Sequence, residues 1–138
     1  MSGYKHIETC AGRWLAEHFR RAVEVGIGSN PAAAEILAQE GKLLRCTDIR
    51  HRETGTLPFV IDDVFAPDLI LYRGADVIYA LRPAIEMIPP LIDLARVTGC
   101  DLIVYHLGFE SYGNGGEVID CGILLHRYYA GSKPVKEC

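Results

Sequence analysis

The hydrophobic positions of the chain change their period several times, and each change predicts a new element. Near the N-terminus, apolar residues recur three and four positions apart, which predicts an amphipathic helix within residues 1–20. Its apolar stripe consists of Ile7, Cys10, Ala11, Trp14, Leu15, His18 and Phe19. Because such a stripe is typical of a helix that covers a core, we expect this helix to pack on a sheet.

The next part of the chain has the pattern of one βαβ unit. We predict a strand over 22–28, a helix over 32–39 and a strand over 43–48. Ser29 or Asn30 is placed to cap the helix, and Gly41 is placed to end it. Two strands joined through a helix are typical of a parallel sheet, so residues 22–48 indicate an α/β fold.

The alternation continues to the end of the chain. We predict strands over 59–61, 76–81 and 101–107, a helix over 84–98 that Pro89 and Pro90 kink or restart, and one last strand over 118–129. No helix precedes the last strand, so we expect it to run antiparallel at an edge. Residues 130–138 are expected to form a frayed tail. The whole pattern predicts a single, doubly wound, mostly parallel sheet of Rossmann type with helices on both faces.

Composition limits the classes of protein to which the chain can belong. Its 138 residues are 49% hydrophobic and 23% charged, which is typical of one globular domain, here 1–138, and excludes a disordered or fibrous chain. The 14 Lys and Arg residues against 18 Asp and Glu residues give a net charge of −4, which disfavours a nucleic-acid partner. Charged residues interrupt every long apolar stretch, and the first residues lack a leader pattern. We therefore expect a cytoplasmic protein that does not enter a membrane.

The cysteines and histidines are scattered. Five cysteines stand far apart without a C-x-x-C pair or a histidine at zinc-ligand spacing, which indicates reduced thiols. We expect no metal site. The five histidines are expected at surface or edge positions.

The polar residues at the predicted strand ends are the candidates for ligand binding, because parallel sheets bind ligands beyond the carboxyl ends of their strands. Glu24 precedes a turn with Gly26 and Gly28, and glycine lets the backbone approach a ligand closely. Asp48 closes the second strand, 20 residues after Gly28, which is the spacing of an acid that binds a ribose diol. A dinucleotide fingerprint needs a small residue at position 31, where this chain has Pro31.

The series of Glu24-x-Gly26-x-Gly28, Asp48 and Asp62-Asp63 resembles the cofactor half of class I S-adenosylmethionine-dependent methyltransferases. The runs 23–48, 60–63 and 74–83 also resemble a small archaeal family of uncharacterised proteins with a reduced Rossmann-like fold, and this likeness covers nearly the whole chain. The resemblance implies that the glycine loop passes the methionine part, the acid after strand two binds ribose, and the acid after strand three meets the adenine amine. The implied cofactor-binding residues are Glu24, Gly26, Gly28, Ser29, Asn30, Asp48, Ile49, Asp62 and Asp63.

The chain departs from the methyltransferase pattern after the fourth strand. Many amino-group methyltransferases carry Asn or Asp, two prolines and an aromatic residue there, whereas this chain has Leu81-Arg82-Pro83-Ala84. Amine methylation by that scheme is therefore unsupported, and Arg82 is instead a candidate partner for a carboxylate or phosphate. The candidates for catalysis at the end of the fifth strand are His106, Glu110 and Tyr112, beside a glycine-rich loop over 108–116 that resembles a mobile lid.

Three hypotheses of function stay open at this stage. The leading one is a protein that binds S-adenosylmethionine or a related nucleoside, with a minimal methyltransferase as the enzyme class. The second is a binder of NAD or another nucleotide, which shares the glycine turn. The third is a Rossmann module without catalysis that acts through a protein partner or as a homo-oligomer, since fold alone does not determine function.

Overall fold

A computed structural model gives the fold of residues 3–131. The helices are α1 (Gly3–His18), α2 (Ala32–Gln39) and α3 (Ile88–Thr98), with short 3₁₀ turns at Leu69–Tyr72 and Ile85–Met87. The strands are β1 (Ala22–Val25), β2 (Leu43–Asp48), β3 (Phe59–Ile61), β4 (Val77–Leu81), β5 (Asp101–Tyr105), β6 (Glu117–Asp120) and β7 (Leu124–Tyr129). The predicted helices and the first five strands are therefore present within a few residues of their expected bounds.

Within residues 3–131 the strands form one sheet in the order β3-β2-β1-β4-β5-β7-β6. The first five strands in this order run parallel to one another. Strand β7 runs antiparallel to both β5 and β6. The order reverses between β1 and β4, because the chain leaves β1 toward one side and returns to build the other. This reversal is the point at which α/β sheets open a crevice for ligands.

The sheet is covered on both faces, as predicted for a doubly wound fold. Alternate side chains of each strand enter different cores, as the period of two requires. One core joins the sheet to α1 and α2 and includes Leu15, Leu37 and Tyr79. The other joins it to α3 and includes Ile78 and Leu91. Every residue of β1 and β4 is buried, so these two strands form the centre of the molecule.

Two local features explain how the helices fit. A Cβ atom at Gly12 of α1 would lie 3.1 Å from the Cα atom of Ala33 in α2, so the missing side chain lets these helices cross closely. Pro89 and Pro90 lie in the first turn of α3, where no intrahelical partner is needed for the missing N–H groups. The prediction that these prolines restart the helix is confirmed.

The C-terminal part of the sheet corrects the prediction. The antiparallel direction of the last strand is confirmed, but the expectation of one continuous strand at the edge is wrong. The chain turns at Gly122, whose φ of 102° is a conformation that glycine adopts readily, and this turn splits the segment into β6 and β7. β7 lies inside the sheet, and β6 forms the edge. Of the predicted frayed tail, Gly131 is hydrogen-bonded to Asp101, and residues 132–138 lie outside the described residues.

Candidate functional site

Two cavities lie side by side at the reversal of strand order, and both include Gly26. The first, the Asp48 cavity, has a volume of about 340 Å³ and is lined by Val25, Gly26, Asp48, Ile49, Asp62, Asp63, Val64, Phe65 and Met87. The second, the Glu24 cavity, has a volume of about 330 Å³ and is lined by Glu8, Glu24, Gly26, Ile27, Gly28, Ser29, Asn30, Leu81 and Arg82. All nine residues predicted to bind a cofactor therefore line one of these cavities.

Asp48 links the end of β2 to the glycine loop. Its side chain is 8% exposed and accepts a hydrogen bond from the Gly28 N–H at 2.9 Å, through Oδ2. The same oxygen accepts from Arg52 Nε at 3.3 Å, while Oδ1 accepts a long bond of 3.4 Å from the Arg50 N–H. A carboxylate offers about four acceptor positions, so Oδ1 keeps capacity for a ligand hydroxyl. Asp48 thus holds the loop and faces the cavity at once.

The two acids after β3 differ in how far their oxygens are occupied. Both oxygens of Asp62 are bonded within the protein, one to the Asp68 N–H at 3.0 Å and the other to the Tyr72 hydroxyl at 2.6 Å. Asp63 accepts one bond, from the Phe65 N–H to Oδ1 at 2.9 Å, and is exposed. Asp62 is therefore a structural carboxylate of this turn, and Asp63 is the more available acceptor.

Glu24 is a carboxyl group inside the sheet. It lies in β1, is 1% exposed, and accepts a hydrogen bond from the Tyr79 hydroxyl of β4 at 2.8 Å. Burial raises the pKa of Glu24 because it removes the carboxyl group from water, and the nearby Glu8 carboxylate raises it further. The hydrogen bond from Tyr79 lowers the pKa, and the net result is a pKa of about 8. Glu24 is consequently a neutral acid at neutral pH.

Glu8 forms the second buried acid of the Glu24 cavity, and sequence reasoning missed it. It lies on α1, is 2% exposed, and makes a two-pronged ion pair with Arg82 at 2.9 and 3.1 Å. Arg82 follows β4 with a φ of 59°, a left-handed conformation that costs free energy for a residue with a side chain. Its guanidinium also lies 5.5 Å from the centre of the Tyr105 ring. Arg82 therefore ties the N-terminal helix to the carboxyl edge of the sheet.

The other catalytic candidates lie near a third cavity at the end of β5. This His126 cavity has a volume of about 410 Å³ and is lined by Tyr105, His106, Gly108, Phe109, Glu110, Ser111, Ile123, Leu124 and His126. His106 and Glu110 thus line it, whereas Tyr112 does not and instead contacts Tyr128. The expectation of a surface or edge position is wrong for His106, which is 3% exposed. Sequence reasoning also missed His126, which the β6–β7 turn brings beside His106.

Within residues 3–131, no group of three or more His, Cys, Asp or Glu side chains is placed to hold a metal ion. Cys10, Cys46 and Cys121 are free thiols, the Cys100 Sγ donates to the Ala75 carbonyl oxygen at 3.2 Å, and Cys138 lies outside the described residues. No helix in this same span is long and apolar enough to cross a bilayer.

The seven-stranded sheet with helices on both faces is a Rossmann-like fold, of the kind also found in methyltransferases. The structure resembles that of the sugar N-methyltransferase KedS8 from Streptoalloteichus sp. ATCC 53650, with a TM-score of 0.54 and 17% identity. The alignment covers 81% of this chain but only 52% of that one, so the chain spans about half the length of the methyltransferase. At this identity the likeness establishes the fold alone.

The chain belongs to the uncharacterised protein family UPF0146, whose family model matches residues 9–115. It is 34% identical over 123 residues to the UPF0146 protein of Pyrococcus horikoshii, which covers 83% of this chain and 93% of the relative. It is 41% identical over 100 residues to a UPF0146 protein of Halobacterium salinarum, covering 70% and 74% of the two chains. The resemblance to a small archaeal family is therefore confirmed.

Proposed function

We propose that the protein binds S-adenosylmethionine, or a closely related nucleoside, across the Asp48 and Glu24 cavities. The observation that carries this proposal is that the two cavities meet at Gly26 and differ in chemistry. The Asp48 cavity is apolar with carboxylates at its rim, which suits a nucleoside. The Glu24 cavity holds groups of both charges, which suits the ammonium and carboxylate groups of an amino acid.

The Asp48 cavity supports the nucleoside half of this ligand. Ile49 and Phe65 are 63% and 60% exposed, although both are large apolar side chains lining a cavity. A purine ring would remove them from water and so stabilise the complex. In this proposal Asp48 Oδ1 accepts from a ribose hydroxyl, and Asp63 Oδ2, which accepts no hydrogen bond within residues 3–131, accepts from the adenine amine.

The Glu24 cavity supports the amino-acid half. Two acidic side chains, Glu8 and Glu24, line it together with the guanidinium of Arg82. The carboxyl oxygens of the acids are acceptors for an ammonium group, and a guanidinium is the preferred protein partner of a carboxylate. Because Glu8 and Arg82 pair with each other, a ligand with both groups would bind beside this ion pair and the neutral Glu24 carboxyl group.

Charge argues against a dinucleotide in the same site. Four carboxylates line the two cavities against the single cation Arg82, while Glu24 adds a neutral carboxyl group. The four are Glu8, Asp48, Asp62 and Asp63. A pyrophosphate adds two negative charges to this surface, whereas the sulfonium of S-adenosylmethionine adds a positive one. Pro31 stands where the dinucleotide fingerprint has a small residue. The NAD hypothesis is therefore disfavoured.

A minimal methyltransferase is the enzyme class that this proposal favours. S-adenosylmethionine, when bound, supplies a methyl group activated by its sulfonium. The residues of this chain would hold the ligand in place. Holding two reacting groups in the correct orientation by itself increases the rate of such a reaction strongly. Because Leu81-Arg82-Pro83-Ala84 lacks the amide and aromatic groups of amine methyltransferases, the proposal does not extend to their scheme.

An amide NMR titration tests the proposal directly. The isotope-labelled protein is titrated in parallel with S-adenosylmethionine, S-adenosylhomocysteine and NAD. We expect saturable shifts at Gly26, Gly28, Asp48 and Asp63 with the two sulfur nucleosides, and weaker or no shifts with NAD. Equal binding of NAD would overturn the charge argument, and no response to any of the three would overturn the proposal.

The variant Asp48→Ala tests the ribose contact. Losing a hydrogen bond to a charged group should weaken binding of S-adenosylhomocysteine about ten-fold or more. Free adenine, which has no ribose, should bind the variant as it binds the natural protein. The matched control is Asp93→Ala, which removes an exposed acid of α3 that pairs with Arg96 and lines neither cavity. An equal loss for adenine and S-adenosylhomocysteine would indicate a disturbed loop and contradict the ribose contact.

A further inference from the structure

The His126 cavity lies at the same edge of the sheet as the proposed nucleoside site but is separate from it. β4 and β5 are parallel neighbours, with Leu81 paired to Tyr105 at their carboxyl ends. Arg82 lines the Glu24 cavity and stacks on Tyr105, which lines the His126 cavity. The Arg82 and Tyr105 side chains therefore form the wall between the two cavities.

His126 is fixed in a single tautomer when its ring is neutral. Its Nδ1 lies 2.7 Å from the carbonyl oxygen of Gly115, and a carbonyl oxygen can only accept, so Nδ1 carries the proton. The other ring nitrogen, Nε2, makes no hydrogen bond within residues 3–131. The ring also stacks on Tyr128, with ring centres 5.8 Å apart and an angle of 12°. Nε2 is thus a positioned acceptor at a cavity wall.

A second layer of polar groups supports His126. The ring centre of His106 lies 5.0 Å from that of His126. Nε2 of His106 is 2.6 Å from the Tyr128 hydroxyl, and the same hydroxyl accepts from the Tyr112 N–H at 2.9 Å. Burial and the neighbouring His126 lower the pKa of His106, against a smaller opposing effect of the Glu110 carboxylate. Both of these effects disfavour a positive charge on His106 beside the cavity.

The cavity walls define the kind of molecule that would bind. Phe109 is fully exposed and Leu124 is 52% exposed, although both line the cavity, so an aromatic body would cover apolar surface there. Glu110 also lines the cavity and disfavours an anionic ligand. Nε2 of His126 requires a donor. A small, uncharged aromatic molecule with a hydroxyl or amino group meets all three conditions.

We propose that the His126 cavity is a second ligand site, which takes a small aromatic molecule whose O–H or N–H group donates to Nε2 of His126. Because the Arg82 and Tyr105 side chains separate this cavity from the Glu24 cavity, the ligand site is independent of the function proposed above. The ligand site itself rests only on the geometry of loop 108–116, β5 and β7.

Phenol, toluene and benzoate are suitable probes, because they share a ring and differ in the group that it carries. In amide NMR titrations of the whole protein, we expect saturable phenol shifts at Ser111, Leu124 and His126. Toluene lacks the donor and should bind several-fold more weakly, and benzoate should not bind. Equal affinities for phenol and toluene, or phenol shifts confined to other parts of the chain, would overturn the proposal.

The variant His126→Asn isolates the role of Nε2. An asparagine amide reaches the position of Nδ1 and can donate to the Gly115 carbonyl, but it has no group in place of Nε2. We expect phenol to bind about five-fold more weakly, the usual worth of one hydrogen bond, while toluene is unaffected. The control His51→Asn makes the same change at an exposed histidine outside the cavity. An unchanged affinity for phenol in His126→Asn would contradict the proposal.

A second variant keeps the proposal testable if the substitution His126→Asn disturbs the loop. Glu110→Gln removes the negative charge of an exposed side chain, so benzoate, which like toluene lacks a donor, should then bind about as weakly as toluene. Continued exclusion of benzoate would contradict the proposed role of Glu110. Titrating S-adenosylhomocysteine into the same samples separates the two proposals. Shifts at Gly26 and Asp48 without a phenol site would overturn this inference alone, whereas a phenol site without nucleoside shifts would overturn the proposed function alone.

Discussion

The buried polar residues of the protein are concentrated near its candidate sites. Among the described residues these are Glu8, Glu24, Thr47, Asp48 and His106. Four of them line a cavity, and the fifth, Thr47, donates to the backbone carbonyl of Glu24 at 3.4 Å. Burying such groups costs free energy unless they are paired, and shifted pKa values are typical of functional sites. The placement of these residues therefore favours a binding role over a purely structural one.

Glu24 should make the stability of the protein depend on pH. Its pKa rises from 4.5 to about 8 on folding, so between these values the folded protein holds a proton that the unfolded chain has released. The folded state binds more protons, and its stability should therefore fall by a few kcal/mol as the pH rises through this range. Urea unfolding of the natural protein and Glu24→Gln, at about pH 5 and about pH 8, measures the effect.

The Glu24→Gln variant keeps an acceptor for the Tyr79 hydroxyl but cannot ionise, so we expect its stability to change much less with pH. Glu35→Gln, at an exposed position of α2, is the control and should keep the slope of the natural protein. Parallel pH profiles for Glu24→Gln and the natural protein would show that Glu24 is already ionised in the folded state.

At the scale of elements, contacts of two different kinds hold the N-terminal helix in place. Gly12 allows α1 to cross α2 at close range, and Glu8 pairs with Arg82 at the end of β4. The first contact is apolar and lies within the core, whereas the second lies at the Glu24 cavity. Packing of α1 therefore determines both the stability of the fold and the shape of one wall of the site.

The variant Gly12→Val tests the close crossing. Its Cβ atom would stand 3.1 Å from the Cα and carbonyl oxygen of Ala33, both backbone atoms that cannot move aside cheaply. We expect a loss of about 2 kcal/mol or more in the free energy of unfolding, measured in urea. Ala38→Val places the same side chain on the exposed face of α2 and should cost only the helix propensity of valine, about 0.5 kcal/mol. Similar losses in both variants would contradict the close crossing.

The sequence predicted the elements whose signals are local. The βαβ unit, the restart of α3 and the acids at the strand ends all follow from neighbouring residues. The β6–β7 turn was missed because its glycine, Gly122, lies inside a long run of strand-forming residues. Glu8 and His126 were missed for another reason, since each joins a site through a partner distant in sequence. Glu8 meets Arg82 across 74 positions, which no spacing rule reveals.

Across the whole molecule, burial decreases from the centre of the sheet to its edges. β1 and β4 are buried at every position, whereas β3 and β6 are largely exposed. The Asp48 cavity lies beside the exposed β3 edge, and the His126 cavity lies toward the other edge. The candidate sites thus combine a rigid centre with more mobile margins, as ligand-binding regions commonly do.

Native-state hydrogen exchange should follow this gradient. We expect the amides of β1, β4 and β5 to exchange slowest, near the rate set by global unfolding, and those of β3 and β6 to exchange much faster. Exchange followed by NMR or mass spectrometry measures the order. Slow exchange of β6 equal to that of β4 would contradict it and would indicate that another surface covers this edge.

The position of β7 has a consequence for how the chain is made. The ribosome releases β6 before β7, yet within residues 3–131 the strand β6 pairs with β7 alone, and β7 fills the place beside β5. During synthesis β6 therefore emerges without a neighbour, and the sheet stays open on that side until residue 129 is available. The order of translation delays completion of the His126 cavity to the last step, after the parallel half of the sheet has had time to form.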